Sequence, residues 1–549
     1  MSRSFSAKNR SRILDQLGTT KFDIIIIGGG ITGAGILLDA QLRGLHCCLI
    51  EMQDFSEGTS SRSTKLIHGG LRYLKQFNFR LVHETGKERN VLAHIARHLT
   101  HSKRVMLPAL KNGGFSKLQL RIALWIYEKF ARVPKRLRHR SYSIQDFAQL
   151  ALGINEKDLL GGVEYIEYQT NDSRLTLEVI KRGVEEGGVA INRLQVLEVL
   201  RDENEHITGV EAINSITSEK MIINGGCVIN ATGPWSDKLF QSKKKSVFTK
   251  LKPTKGVHLV FDAQRFKLSK AIYFDTSDNR MIFAIPEAGK VYVGTTDTFF
   301  EGDLSDPGIT NEDTSYLLDA CNKMFPGIEL RRSDIMGGWS GVRPLIYQAN
   351  KKPSEISRRH EVLYDRFGLF TIVGGKLTGY RTMAKKIVDR AVQRRFPAKK
   401  NIECTTAYCT LCGSDFKNEQ HFSQVAQDFL EQANRVGWSH IEAKWVFRHF
   451  GSESFKIITN DTSYPPEIPD YLAKSLFYTM EHEMVMSPSD FFVRRTNLFH
   501  FKPEIVQEHY EALSLILYDF LDASPEYRVK ENSRFTELLD SIKRIQNGL

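Results

Sequence analysis

No apolar run in this chain of 549 residues approaches the roughly 18–20 residues that a membrane-crossing helix needs. The most apolar stretch, Ile24 to Ile27 with its surroundings, is broken by glycines. The N-terminus has no apolar signal-peptide core. Met1 to Lys21 is basic and contains serines, a weak likeness to a mitochondrial transit sequence, but Asp15 interrupts it. A solvated arm with a short helix over Arg12 to Leu17 is the expectation there. Cysteine is scarce: the seven residues are odd in number and scattered, with Cys47 and Cys48 adjacent. That pattern excludes a disulfide framework and suits free thiols in a reducing compartment. Cys404, Cys409 and Cys412 cluster, but no fourth ligand follows, so no metal site is expected. Internal repeats and low-complexity tracts are missing as well.

What is present is ordinary for a soluble globular chain: 41% hydrophobic and 26% charged residues, which excludes a disordered, collagenous or coiled-coil protein. The length allows between two and four domains at roughly 150 residues each, so size alone calls for no disulfide or structural metal. The net charge of +12 favours an anionic partner: nucleic acid, an acidic membrane surface or a phosphorylated substrate. Outside one helix, no basic patch is interleaved with stacking aromatics, so nucleic acid is not expected.

Phe22 to Ile27 is a β-branched run of strand length. Gly28-Gly29-Gly30 interrupts it, Ile31 to Leu42 has helical spacing, Gly44 ends the helix, and Cys47 to Glu51 is a second strand. This β-α-β unit opens a parallel, doubly wound sheet. Short β-branched strands recur at Val228-Ile229, Val257 to Phe261, Val291 to Val293 and Leu369 to Val373. Tyr273 to Ile285 and Lys290 to Thr295 are expected as antiparallel strands joined by a turn at Glu287 to Lys290. Gly374 to Arg390 returns to helix. After about Pro397 glycines thin out, and Glu419 to Val436, Ile441 to Phe450, Pro469 to Met484 and Lys502 to Phe520 show helical apolar spacing. The predicted class is α/β. An N-terminal arm (1–20) precedes a Rossmann-like dinucleotide-binding domain with an inserted, mainly antiparallel β substrate domain (21–400), followed by an all-α domain (401–549).

Gly28, Gly30 and Gly33 form G-x-G-x-x-G at the strand-to-helix turn. Gly28 permits the turn, Gly30 lets a pyrophosphate approach the backbone, and Gly33 lets helix and strand pack closely. The anion then sits on the helix N-terminus. Glu51 closes the second strand, and its carboxylate can accept the ribose hydroxyls; its bland alternative is a solvated strand end. Strand, glycines, helix, strand and acid in this order predict an adenine dinucleotide. Asn230 to Trp235, with Gly233, follows a strand as a second close approach to the nucleotide. Gly374 to Thr378, with Gly375, opens a later helix and can hold the far end of an extended flavin.

A more specific likeness emerges from the longer motifs. Phe22 to Glu51 and Gly58 to Leu74 resemble the FAD-dependent glycerol-3-phosphate dehydrogenases. So do Asn230 to Trp235, Lys255 to His258, Val293 to Asp297, Ser340 to Pro344 and Gly374 to Arg381. The resemblance runs from about Phe5 into the helical C-terminus and is weakest after 400. It implies FAD as cofactor and a quinone-linked enzyme on the membrane surface. Such an enzyme oxidises sn-glycerol 3-phosphate to dihydroxyacetone phosphate. No D-x-[DN]-x-[DN]-G calcium loop is found, so the bacterial type is the closer match and a cytoplasmic, peripheral placement on the inner membrane face follows. A homodimer is compatible with the resemblance but not read from the sequence.

Oxidising a secondary alcohol by hydride transfer needs a proton acceptor and positive charge near the developing ketone oxygen. A phosphomonoester adds a need for guanidinium or ammonium groups. The resemblance places Arg72, Tyr73, Arg343, Arg358 and Lys376 on substrate-site positions, with Arg343 nearest the reacting oxygen. Arg381 is the weakest of the basic residues, because it can simply extend a helix surface. Two histidines compete as base, His258 and His68; His68 sits in the flavin loop and can equally serve only to orient the cofactor. Thr59, Ser60, Ser61 and the Lys65 stretch are expected to wrap the flavin, with Lys376 and Thr378 at its other side. FAD is expected to be noncovalently held, since no Cys or His falls in a position assignable to a tether.

Lys117 to Arg140 begins apolar and aromatic (Leu118, Leu120, Ile122, Leu124, Trp125, Ile126, Tyr127, Phe130). It turns basic at Lys129, Arg132, Lys135, Arg136, Arg138 and Arg140. It fits a core helix with a basic exit or an anionic membrane surface; the resemblance favours the membrane, where a quinone dissolves. The rivals are an oxidase of glycerol 3-phosphate using O2, whose relatives carry an insertion not evident here, an amine or amino-acid oxidase of the same fold, and a non-catalytic flavin-binding scaffold.

Overall fold

A computed structural model describes residues 5–69, 79–111, 113–114, 116–130, 133–237, 251–278, 280–348, 356, 360–365 and 367–548. The four isoleucines of Ile24–Ile27 are all buried. They lie inside a six-stranded sheet ordered His360–Tyr364, Leu369–Gly374, Val228–Asn230, Ile24–Ile27, Cys47–Ile50, Val189–Ile191. Every neighbouring pair is parallel except His360–Tyr364 with Leu369–Gly374. A parallel sheet covered on both faces explains strands that are continuously apolar rather than alternating. The helix Ile31–Leu42 packs against Asp172–Glu185 and Tyr380–Arg395. It comes so close that a Cβ at Gly35 would stand 2.7 Å from the Tyr380 ring.

A ten-stranded sheet draws its strands from Leu66 to Arg343, interleaved along the chain with those of the six-stranded sheet. Its long pair, Thr100–Leu110 and Leu159–Thr170, is antiparallel, and Thr254–Asp262 is flanked by Lys290–Gly294 and Ile335–Arg343. The segment expected as one strand over Tyr273 to Ile285 is instead a hairpin of Ala271–Asp275 and Met281–Glu287. The polar residues between them turn the chain, the Thr276 N–H donating to the Arg280 carbonyl at 2.8 Å. The next turn lies where expected, with Ala288 and Gly289 at φ +49° and +81°, the left-handed pair that joins twisted antiparallel strands.

Beyond residue 400 the helices Glu419–Arg435, His440–Phe450, Asp470–His482 and Pro503–Phe520 surround a cluster containing Phe429, Phe450 and Leu472. A further helix that apolar spacing did not single out, Pro525–Asn547, ends the described chain. The N-terminal arm is docked rather than solvated. Phe5 is buried and its carbonyl accepts from the Met484 N–H, while the Arg10 guanidinium donates to the Asn192 carbonyl at 2.6 Å. The basic stretch is likewise not one helix. Lys117–Phe130 is helical, Lys135–Leu137 forms a 3-10 turn, and Arg140–Tyr142 joins the ten-stranded sheet.

Buried ion pairs bind the helical region to the nucleotide half. Asp54, fully buried, accepts from Arg495 Nη2 at 3.0 Å, from Arg494 Nε at 2.5 Å and from Asn192 at 2.9 Å. Burial alone would raise its pKa; the guanidiniums of Arg495 and Arg494 instead hold it well below the usual carboxylate range. Arg174 pairs with Glu483 at 2.5 Å, and Arg193 with Asp490 at 2.8 Å. The residues Asp490–Arg495 form a π-helical turn, a geometry that recurs at functional positions. It aims Arg494 and Arg495, adjacent in sequence, at one carboxylate.

Candidate active site

The first glycine turn shows why each glycine is needed. Gly28 sits at φ +109°, and a Cβ there would lie 2.7 Å from the Ala231 carbonyl oxygen. At Gly33 a Cβ would lie 1.9 Å from the Gly28 oxygen, so only glycine lets the helix close onto the strand. Gly30 leaves its backbone open toward Ser60, whose Oγ accepts from the Ile31 N–H at 2.9 Å. Glu51 Oε2 accepts from the Gly29 N–H at 2.6 Å, and its Oε1 from the Gln53 N–H at 2.8 Å. Each oxygen keeps a lone pair for a further donor. Burial pushes this carboxyl up to about 7 despite the two N–H donors.

These residues line one cavity of about 1080 Å³, above the roughly 300–1,000 Å³ of ordinary small-molecule pockets. Gly28, Gly30, Glu51, Thr59, Ser60, Ser61, Gly233, Gly375 and Lys376 all face it. Gly33 and the buried Thr378, expected at the cofactor, are not among the residues that line it. Gly374 and Gly375 hold φ +79° and +101°, and a Cβ at Gly375 would meet Met383 Sδ at 2.2 Å. Thr59 Oγ1 donates to the Val342 carbonyl at 2.5 Å, tying the hydroxyl-rich loop to the ten-stranded sheet. Ser63 Oγ and Lys65 Nζ both donate to Asp172, each at 2.7 Å. A glycine backbone that faces the cavity, a carboxylate with free lone pairs and a cavity of this volume fit an adenine dinucleotide.

His258 and Arg343 come from paired strands, Thr254 lying opposite Arg343 and His258 opposite Trp339. The His258 ring stacks on Trp339 at 4.9 Å and its Nε2 lies 3.0 Å from Thr64 Oγ1. Burial, then the nearby cations Arg343 and Lys65, hold His258 well below its ordinary pKa, so it is a neutral imidazole. Arg343 Nη1 pairs with Asp297 at 3.1 Å and its Nη2 donates to Thr295 Oγ1 at 3.0 Å. A Cβ at Gly256 would lie 2.2 Å from Nη2, so that glycine makes the seat for the guanidinium. His68 follows the strand Leu66–Ile67, its ring 6.5 Å from that of Phe283. Arg381 faces Glu88 at 3.0 Å and Thr406, away from these groups in a buried pair. Arg72, Tyr73 and Arg358 lie outside the described residues.

Several wall residues carry no motif that spacing could have revealed. Trp339 lines the cavity, its Nε1 donating to the Ser63 carbonyl at 3.0 Å. Arg193 lines it as well, and so do His500, Lys530 and Arg534 from the helical region; Arg62, also in the wall, belongs to the Gly58 to Leu74 motif. Among the described residues no cluster suits a metal ion, and the seven cysteines are unpaired.

The chain belongs to the FAD-dependent oxidoreductases: that family's model matches residues 23–381. A second model, the C-terminal domain of alpha-glycerophosphate oxidase, matches 404–528. Along its whole length the chain is similar to the aerobic glycerol-3-phosphate dehydrogenase of Staphylococcus aureus (strain USA300), 41% identical, the alignment covering 99% of this chain and 98% of that one. A solved glycerol-3-phosphate dehydrogenase from Bacillus halodurans, complexed with FAD, superposes with a TM-score of 0.83 at 35% identity over 98% of both chains. An L-α-glycerophosphate oxidase from Mycoplasma pneumoniae shares the fold over 68% of this chain and 95% of its own, with a TM-score of 0.52 at 14% identity.

Proposed function

We infer that this chain is an FAD-dependent glycerol-3-phosphate dehydrogenase that oxidises sn-glycerol 3-phosphate to dihydroxyacetone phosphate and passes the electrons to a membrane quinone. The observation that carries the reading is the similarity to the staphylococcal enzyme, which extends through the helical C-terminus as well as the nucleotide half. FAD, held by the glycine turn, Glu51 and the Thr59–Ser61 loop, supplies the acceptor for two electrons. The chain's own groups do the rest. Arg343, fixed by Asp297 and Thr295, presents positive charge to the developing ketone oxygen. The neutral His258 takes the hydroxyl proton, with His68 the second candidate for that role. Arg72, Tyr73, Arg358 and Lys376 complete the substrate site, with Lys376 assigned to the phosphate dianion.

The quinone reading rests on a surface. Along Lys117–Phe130, Leu120, Leu124 and Tyr127 are buried, yet Leu118, Ile122 and Trp125 are 63%, 52% and 57% exposed. A core helix accounts for the first stripe and not for the second. The exposed stripe, followed by the exposed cations Lys135, Arg136 and Arg138, suits the surface of an anionic bilayer. No helix among the described residues is long and apolar enough to cross a membrane. The exposed stripe and its cations support the reading of a peripheral enzyme on the inner face of the cytoplasmic membrane.

The deciding experiment is anaerobic flavin reduction across glycerol 3-phosphate, glycerol, glycine and sarcosine. Bleaching by glycerol 3-phosphate alone is expected. Bleaching by glycine or sarcosine instead would make the chain an amine oxidase, and no bleaching would leave a flavin-binding scaffold. Turnover with a quinone analogue exceeding oxygen consumption separates the dehydrogenase from the oxidase.

A further inference from the structure

The last helix, Pro525–Asn547, has a face that neither the nucleotide motif nor the substrate residues account for. Lys530, Arg534, Ser541 and Arg544 recur at intervals of four, seven and three residues, so they share one side, and all four line the 1080 Å³ cavity, as do Glu531 and Glu537 of the same helix. The adjoining stripe is apolar and spans two domains. Phe535 is fully buried in the core of the helical domain and Ile542 packs against it, whereas Ile545 joins a core cluster of the ten-stranded sheet. Both ends are fastened: Tyr527 Oη donates to the Met486 carbonyl at 2.9 Å, and Gln546 Nε2 to the Ile335 carbonyl at 2.6 Å. The helix is thus a strap laid along the cavity, from the helical domain to the sheet.

A second residue of the same domain points the same way. His500 lines the cavity and is 7% exposed, its ring 5.1 Å from that of Trp339, and its Nδ1 has no hydrogen-bond partner. Burial, then Lys65 and Arg62, keep it neutral. A buried polar atom left unpaired beside a cavity costs free energy unless a ligand or water meets it.

We propose that the C-terminal domain is the outer wall of the cofactor site, its last helix retaining the bound dinucleotide through Lys530 and Arg534. The chemistry asks for such cations. A dinucleotide diphosphate carries two negative charges, and the Ile31 N–H, one of the donors at the helix N-terminus, is already taken by Ser60. Arg534 is held in place by Glu531 at 2.8 Å, and Glu531 lies 4.0 Å from Arg193 on the facing wall. Lys530 is exposed and has no ion pair among the described residues. The proposal rests on the cofactor being FAD.

The test uses the full-length protein. FAD is stripped and titrated back by flavin fluorescence in the parent and in Lys530→Glu/Arg534→Glu. An FAD Kd raised roughly tenfold or more, with the difference shrinking as salt is added, is expected. A parent that takes up no FAD refutes the cofactor reading itself; a parent that binds FAD with an unchanged variant overturns only the role of the strap. Should the charge reversal fail to fold, Lys530→Gln/Arg534→Gln is measured instead, and an unchanged Kd there likewise overturns the role of the strap. Amide hydrogen exchange gives a second readout. FAD should protect 525–547 beyond any change in 419–435, and equal protection of both helices would also overturn the proposal.

Discussion

The cavity has two unlike walls. On the parallel-sheet side, Gly28 to Ser60 shape it through the backbone: a left-handed glycine, a helix closed onto a strand, and N–H groups held by Glu51 and Ser60. On the other side, His500, Lys530 and Arg534 line it from the helical region. They are brought there by an ionic network anchored on Asp54. The first wall is local and tolerates no added atom; the second is assembled from residues hundreds of positions apart and fails if its buried charges lose their partners.

The largest effect should come from breaking the second wall at its anchor. Arg495→Ala leaves Asp54 short of a buried counter-charge, which costs about 3–5 kcal/mol, read as a lowered denaturation midpoint with reduced FAD content. Asp54→Asn/Arg495→Met, which removes both charges, should recover much of that loss; no recovery would mean that the network matters for more than charge. Next comes the antiparallel half, where chemistry and architecture should separate. Arg343→Ala is expected to lose about 3 kcal/mol of transition-state stabilisation, roughly a hundredfold in turnover, at unchanged FAD content. Unaltered turnover would remove Arg343 from the reaction. On the first wall, Gly33→Ala forces a Cβ against the Gly28 oxygen and should cost about 1–3 kcal/mol, with FAD lost in proportion.

The same contrast explains what the sequence disclosed. The glycine turn, the acid after the second strand and the parallel core were legible because each imposes a fixed spacing: period, turn and cap all act within one β-α-β unit. Four of the C-terminal helices were legible from apolar spacing. The helix Pro525–Asn547 was not, because its cavity face, Lys530 and Arg534, has the composition of any solvated helix surface. Arg494 and Arg495 were equally silent, since nothing local says that both reach Asp54. The hairpin within Tyr273 to Ile285 was missed because its turn lacks the Asn-Gly or Asp-Gly signal that marks the tightest turns.

A smaller effect per residue is expected at the outer face of the antiparallel half. Replacing Lys135, Arg136 and Arg138 by Gln should remove about 1 kcal/mol of attraction to acidic vesicles for each cation, an effect screened over about 8–10 Å in ordinary salt. Sedimentation with the vesicles should fall while flavin reduction by glycerol 3-phosphate persists. Leu118, Ile122 and Trp125 should then leave a salt-insensitive remainder, and a variant that sediments like its parent would separate this helix from the membrane.

Smaller than the three cations taken together, and the sharpest probe of the backbone-built wall, is a pH dependence carried by Glu51. Burial raises this carboxyl to about 7, with Glu57 and Asp54 adding in the same direction. A folded-state value above the ordinary one means that ionising Glu51 costs the free protein stability, increasingly as pH rises from the usual carboxylate range through 7. Ribose hydroxyls donating to the two oxygens favour the ionised form, so FAD binding must lower this pKa. By linkage, affinity then rises with pH until the free protein is itself ionised, and levels off above about 8. The expected gain is roughly tenfold in FAD affinity between pH 6 and pH 8, about 1.4 kcal/mol. Glu51→Gln should bind more weakly at pH 8 and lose the slope, whereas Lys530→Gln/Arg534→Gln should weaken binding and keep it. A parent whose FAD affinity is flat across this range would mean that Glu51 holds only Gly29 and Gln53 and does not touch the ribose.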